Sequence, residues 1–182
     1  MIRYLDVQAP GVLEWLGRQP DSPAQKVFAG LLRLPHSAPL LPARLAEQFG
    51  LDLPDFSRAL FELNRHQSLR VTEHPSTYRS DFHYDFPLLC EDLRCLATGK
   101  PQIMLATPDG LCLAHQGLAE HDCMRWAARC HEGPDAEIPH VVPLYFGSTL
   151  LRLCSSTTIN MTSPALLRLA RRLISLAMCS DA

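Results

Sequence analysis

Cysteine and histidine side chains that could bind a metal ion lie close together in the second half of the chain. His121 and Cys123 occur in one run, and Cys130 and His131 follow shortly after it. Both residue types ligate zinc, but on one helix Cys123 and Cys130 are two turns and ~10 Å apart, whereas ligands of one ion converge within ~4 Å. No C-x-x-C pair occurs. The spacing therefore predicts no metal site.

Cys112 and His115 are the residues that suggest a cysteine nucleophile with a neighbouring base. They occur in the run LCLAH, which is predicted as a strand, and a separation of three places two side chains on opposite faces of a strand. The phosphate-binding motifs GxGxxG and GxxxxGK[ST] are absent from the sequence. We therefore predict no catalytic residue, no cofactor and no enzymatic activity.

Charge and hydropathy exclude further classes of function. The chain of 182 residues has a formal net charge of −2, so no overall basic field attracts polyanions. The N-terminus lacks an apolar core of the signal-peptide type, and no window reaches the ~18 to 20 apolar residues of a membrane span. Seven cysteines scattered among apolar neighbours are interpreted as buried, reduced thiols. We expect a soluble, cytoplasmic protein without a membrane partner.

The first part of the chain predicts three helices followed by a strand. Ser22 caps the first helix and Pro23 opens it; the second helix runs from Pro42 to about Phe49, and Gly50 ends it. Asp52 caps the third helix, and the run SLRV after it alternates like an edge strand. The predicted buried stripe of the third helix is Phe56, Ala59, Leu60 and Leu63.

This arrangement resembles a winged helix-turn-helix over residues 22 to 74. A small residue at Ala46 allows the two helices to pack closely, and Gly50 allows the left-handed backbone of a tight turn. In that family the exposed start of the second helix of the pair enters the major groove of DNA. The resemblance therefore implies contacts to DNA by Ser57, Arg58, Arg65 and Arg70.

The charge of the first part argues against a high affinity for DNA. Residues 1–75 contain eight Lys or Arg and eight Asp or Glu, so this part is neutral. Asp52, Asp55 and Glu62 lie on or near the helix that would meet the phosphates, whose attraction dominates affinity for DNA. A module repurposed for protein interaction or as a linker is favoured, and DNA binding stays as the alternative.

The sequence of the second part predicts a helix, two strands, a second helix, three strands and a last helix. The first two strands flank the turn Pro108–Gly110, the three later strands are HVVPLYFG, STLLRLCSS and TTINM, and Ser163 caps the last helix. Consecutive strands with short turns favour an antiparallel sheet covered by helices. Together with the first part, this predicts an α+β protein.

The same order resembles the roadblock/dynein-light-chain family over residues 87 to 178. The motif that carries the resemblance is a strand, the Asp109-Gly110 turn, a second strand and then Gly117. GAF, PAS and profilin domains share much of this layout. The resemblance implies a homodimer without catalytic activity that scaffolds or regulates protein partners, small GTPases among them. Its interface would involve Trp126 and Arg129 on a helix and Tyr145 on a strand edge.

The last helix adds two candidates for that interface. Leu169 and Leu173 belong to an apolar stripe that is wider than one packing face requires, so it could cover both the sheet and a second subunit. We predict a winged-helix-like domain at 1–75, a linker at 76–86 and a roadblock-like domain, of profilin-like layout, at 87–182. The leading function is non-catalytic regulation or scaffolding through protein contacts; the alternatives are a dimeric DNA-binding transcription regulator and a small-molecule sensor with a GAF-like pocket.

Overall fold

A computed structural model describes residues 2–82 and 85–180, without the side chains of 176–180. Residues 83–84 of the predicted linker and 181–182 of the predicted second domain therefore lie outside the described chain. The described residues form seven α-helices, one short 3₁₀ helix and two antiparallel sheets. The α+β class predicted from the sequence is confirmed. The winged-helix and roadblock assignments remain predictions.

The first sheet has three strands, and its central strand comes from the N-terminus. β1 pairs with β2 on one side and with β3 on the other, so the order is β2-β1-β3 and β3 lies at an edge. The run SLRV thus forms the expected edge strand, whereas β1 goes beyond the predicted elements. The strands are β1 (Tyr4–Val7), β2 (Ala38–Pro39) and β3 (Leu69–Thr72).

Four helices accompany this sheet, and proline occupies the first or second position of each. The predicted cap at Ser22 is present: its hydroxyl accepts from the backbone N–H of Gln25, and the Gln25 side chain accepts from Ser22 in return. Gly50 has the left-handed φ of +60° expected at the turn between the third and fourth helices. The helices are α1 (Pro10–Leu16), α2 (Pro23–Leu32), α3 (Pro42–Gln48) and α4 (Leu53–Arg65).

The second sheet has four strands in the order β5-β4-β7-β6, with helices before, between and after the two strand pairs. The elements are α5 (Phe86–Arg94), β4 (Ile103–Ala106), β5 (Cys112–Gln116), α6 (Glu120–Arg129), β6 (His140–Phe146), β7 (Thr149–Ser155) and α7 (Pro164–Ser180).

The strand predicted at TTINM, residues 157–161, is wrong. The hydroxyl of Ser155 donates to the carbonyl of Thr157 and accepts from its N–H, which turns the chain away at the end of β7. The N–H of Asn160 then donates to the carbonyl of Leu96, outside the sheet. Side-chain and loop partners therefore take the backbone groups that a fifth strand would need.

α7 is covered on several sides by elements of its own chain. It packs against α5, the 3₁₀ helix Arg79–Phe82, β6 and α1, and one continuous apolar core extends from β1 to α7. Leu169 and Leu173 are fully buried in this core. Their assignment to a dimer surface is therefore corrected: the wide apolar stripe serves helices of the same protomer.

The predicted linker is anchored to α7. Arg171 of α7 forms a salt bridge with Asp81 of the 3₁₀ helix at 2.9 Å, and its guanidinium lies 3.6 Å from the centroid of the Tyr78 ring. The Tyr78 hydroxyl donates to the carboxylate of Asp6 on β1. Burial raises the pKa of Asp6 against the opposing effect of Arg171. These contacts tie the first sheet, the linker and the last helix together.

Candidate functional site

The outer face of α4 carries most of the residues predicted to contact DNA. Asp52 caps the helix by accepting from the N–H of Asp55. Of the predicted buried stripe, Phe56, Ala59 and Leu63 are buried, whereas Leu60 is half-buried. The opposite face is open to solvent. It carries Ser57, Arg58, Phe61 and Arg65.

Three of the four candidate DNA contacts share this face. The hydroxyl of Ser57 donates to the carbonyl of Leu53 at 2.7 Å, and Arg58 forms an ion pair with Asp55 one turn earlier. Arg65 is exposed in the last turn of α4. Arg70 lies on β3 opposite Asp6, on the sheet face away from the core. The helix therefore presents two arginines, one of which already has a carboxylate partner.

Phe61 also lies on this face and is not among the predicted site residues. Its side chain is 72% exposed, although a phenylalanine is usually buried. A signal was available, because Phe61 does not fall on the predicted apolar stripe of α4. An aromatic ring held in water beside arginines is typical of a contact surface for proteins.

Phe61 lies on the rim of an apolar groove between α4 and the first sheet. The groove has a volume of about 200 Å³, and Val71 of β3, which is 46% exposed, also contributes to its rim. β3 has no strand on its outer side among the described residues. We call this region the α4–β3 surface; its lining residues are Leu5, Leu40, Leu60, Phe61, Asn64, Leu69 and Val71.

Cys112 and His115 lie on the same face of β5, which corrects the expectation drawn from their spacing. The β4–β5 pairing shifts register between Leu105 and Ala106, so that Ala106 lies opposite Cys112 and Met104 lies opposite His115. Met104 and Ala106 share one face of β4, and directly opposed side chains share a face of the sheet. The β-bulge places one extra residue in β5, so the usual alternation of side chains between the two faces of the sheet is shifted there.

The pair lines a pocket of about 250 Å³ together with Glu120 and Cys123 of α6. Burial, followed by the neighbouring Cys123 thiol, raises the pKa of Cys112 to about 11. The Nδ1 atom of His115 is buried without a hydrogen-bond partner among the described residues. A thiol protonated at neutral pH is a poor nucleophile, so the juxtaposition does not provide an activated cysteine.

Metal ligation has no preformed site in the described part of the chain. No group of three or more His, Cys, Asp or Glu side chains converges there as ligands of one ion. The six cysteines whose side chains are described are free thiols. Cys123 and Cys130 are both buried beneath α6, in a small core that also contains Met104 and Cys154.

The predicted dimer residues of the second part separate into exposed and buried positions. Trp126 is only 2% exposed and packs in the core beneath α6, so its assignment to a partner surface is corrected. Arg129 forms salt bridges with Asp135 and Glu137. Tyr145 is half-buried on β6, an edge strand of the four-stranded sheet. Of the five predicted interface residues, only Arg129 and Tyr145 reach the surface of the protomer.

The arginines of α7 form an internal network. Asp92 of α5 accepts from the Nε atom of Arg168 at 2.7 Å through one oxygen and from the Nε atom of Arg172 at 2.8 Å through the other. Asp92 and Arg172 are buried, and Arg171 is buried against the linker. This basic run therefore holds α7 in place.

No protein-family model, curated protein or solved structure matches the chain. Among the described residues, no helix combines the length and apolar character required to cross a membrane.

Proposed function

We propose that this protein is a non-catalytic regulator or scaffold that holds a protein partner at the α4–β3 surface. The observation that carries the proposal is the exposed Phe61 ring on the rim of an apolar groove. A groove of this size accommodates an apolar side chain of a partner segment, and Phe61 gains burial when that segment binds. The outer edge of β3, which pairs with no strand among the described residues, lies beside it and offers backbone hydrogen bonds to an extended segment.

The electrostatics of α4 favour a protein over DNA as the partner. Arg58 is paired with Asp55, and the first part of the chain has no excess of positive charge. Contacts to several phosphates usually provide most of the affinity for DNA. DNA binding is the second candidate, because Ser57, Arg58 and Arg65 share one exposed face.

The test compares three single variants of the full chain. A photo-crosslinking amino acid at position 61 identifies the captured partner, and binding of that purified partner is then measured with Phe61→Ser, Arg58→Ala and Leu111→Ser. Leu111 is the matched control, because it is also a strongly exposed apolar residue but lies between β4 and β5. We expect Phe61→Ser to weaken binding at least about tenfold, the range of an interface hot spot, and the other two to bind normally.

The alternative predicts a different pattern. If the protein reads DNA, selection from genomic fragments returns one palindromic site, and binding to that site depends on Arg58 and falls steeply with salt. Equal partner binding by Phe61→Ser and Leu111→Ser contradicts the proposed surface.

A further inference from the structure

A third cavity lies along the exposed side of α2 and shares no lining residue with the α4–β3 surface. Its volume is about 560 Å³, within the range typical of small-molecule sites. Its floor is apolar and consists of Ala29 and Gly30 of α2 with Phe49 and Leu51 from the α3–α4 connection. The loop before α2 and Gly147 at the β6–β7 turn complete the walls. We call this cavity the α2 groove.

The floor of the groove depends on Gly30. A Cβ atom at this position would lie 2.4 Å from Cε1 of Phe49, so the ring packs directly on the backbone of α2. Phe49 also packs on Phe56, with 6.3 Å between ring centroids. The floor is therefore formed before any ligand arrives, which lowers the entropic cost of binding.

One wall of the groove is fixed by the buried amide of Gln25. Its Oε1 atom accepts from the N–H groups of Asp21 and Ser22 at 3.0 and 3.1 Å. Its Nε2 atom donates to the carbonyls of Trp15 and Gln19, both at 3.2 Å. The loop that leads into α2 is thus held in one conformation by a side chain from the helix itself.

The rim carries two exposed cations, Lys26 on α2 and Arg33 at its C-terminal end. Lys26 and Arg33 are two helical turns, ~10 Å, apart along the helix axis, and the small residues of the floor lie between them. Within the described chain neither forms an ion pair, and Asp21 is the one carboxylate among the lining residues. An apolar floor between two such cations is complementary to an anion with an apolar body.

We propose that the α2 groove binds a small organic anion, with its hydrocarbon or aromatic body on Phe49 and Leu51 and its carboxylate or phosphate between Lys26 and Arg33. This site goes beyond the proposed function, because it shares no lining residue with the α4–β3 surface. Its occupant is a metabolite-sized ligand, and a peptide is a different outcome of the test.

The experiment follows backbone amide resonances of the ¹⁵N-labelled full chain during titration with octanoate and, separately, with octan-1-ol. Gly30 and Gly147 line the groove, whereas Gly99 and Gly133 lie away from its lining and serve as internal controls. We expect saturable shifts at Gly30 and Gly147 with octanoate, and at least about tenfold weaker binding of the alcohol, since charge-assisted hydrogen bonds are lost with the anionic group.

Variants separate the role of charge from that of the floor. Lys26→Gln with Arg33→Gln should weaken octanoate at least about tenfold at unchanged thermal stability. Arg79→Gln with Lys100→Gln is the matched control, because these exposed cations lie outside the groove, and it should bind normally. Ala29→Phe should fill the floor and abolish binding while both cations remain.

Three results overturn the proposal: no saturable shift at Gly30 and Gly147, equal affinity for octanol and octanoate, or unchanged affinity after loss of both cations. A third titration uses an acidic peptide, and shifts at Gly30 and Gly147 that appear only with this peptide would also overturn the proposal, in favour of a peptide site. None of these results depends on the partner captured through Phe61, so the two proposals fail separately.

Discussion

Asp92 is a buried carboxylate whose two oxygens are each bonded to an arginine of α7. Replacement by alanine removes the buried carboxylate that accepts from both arginines, so we expect Asp92→Ala to lower the free energy of unfolding by about 3 to 5 kcal/mol. Urea denaturation measures the change. Arg168→Ala is the control; its side chain is 35% exposed, and we expect a loss of about 1 kcal/mol or less. Similar losses in both variants would contradict a central role for the buried pair.

The Cys112 thiol should react slowly with alkylating reagents at neutral pH, because its pKa is raised to about 11. The modification rate should increase about tenfold per pH unit and level off only near that pKa. Peptide mass spectrometry after timed iodoacetamide treatment measures the rate, with exposed Cys95 as the reference site. A rate that already levels off near neutral pH would indicate a thiolate and would reopen the question of catalysis.

The same shift predicts the direction of a stability effect at high pH. The folded state binds the Cys112 proton more tightly than the unfolded state, whose thiol has the ordinary pKa of 9.0. The contribution of the protonated Cys112 thiol to the free energy of unfolding is therefore fully present below pH 9 and is lost as pH rises from about 9 to 11. The Cys112→Ala variant should lack this component of the alkaline loss, which thermal unfolding across that pH window can test.

At the scale of residues, the sequence predicted helix caps better than it predicted the faces on which strand side chains lie. Ser22 and Asp52 were identified as caps because a cap depends on neighbours within one helical turn. The common face of Cys112 and His115 was missed, since the β-bulge arises from pairing with a strand that lies elsewhere in the sequence. Phe61 could have been noticed, but its exposure required knowledge of what packs on α4.

At the scale of elements, β6 is the strand on which the predicted homodimer depends. β6 lies at an edge of the four-stranded sheet and carries the half-buried Tyr145. If the second part dimerises through this edge, light scattering on the full chain gives twice its mass of 20.3 kDa. Tyr145→Arg should then give a monomer, because the arginine of each copy would face the other across the two-fold axis. A monomeric wild-type chain from micromolar to millimolar concentration would rule this interface out.

Some of the elements could be predicted from the sequence and others could not. Helices α2, α3, α4 and α7 were found from apolar spacing and caps, whereas β1 and α1 were not predicted and TTINM was assigned wrongly to a strand. The width of the apolar stripe on α7 was observed correctly, but a stripe does not specify which surface covers it. Here α5 and α1 cover it, so Leu169 and Leu173 are core residues.

At the scale of the whole molecule, the continuous core predicts cooperative unfolding of the two parts of the chain. The chain has two tryptophans, Trp15 in α1 and Trp126 in α6, so each part has its own fluorescent reporter. Trp15→Phe and Trp126→Phe each leave one reporter, and we expect both variants to show fluorescence and circular dichroism transitions with one common midpoint. Two separated transitions within a single variant would show that the parts unfold independently.

The position of α7 also has a consequence for synthesis of the protein in the cell. This helix covers apolar faces of α1 and α5, yet the ribosome makes it after both. Nascent chains that have emerged only as far as β7 therefore expose the leucine-rich surfaces that α7 covers in the folded protein. Such intermediates are substrates for chaperones, and pausing of translation before α7 should increase the amount of protein lost to aggregation or proteolysis.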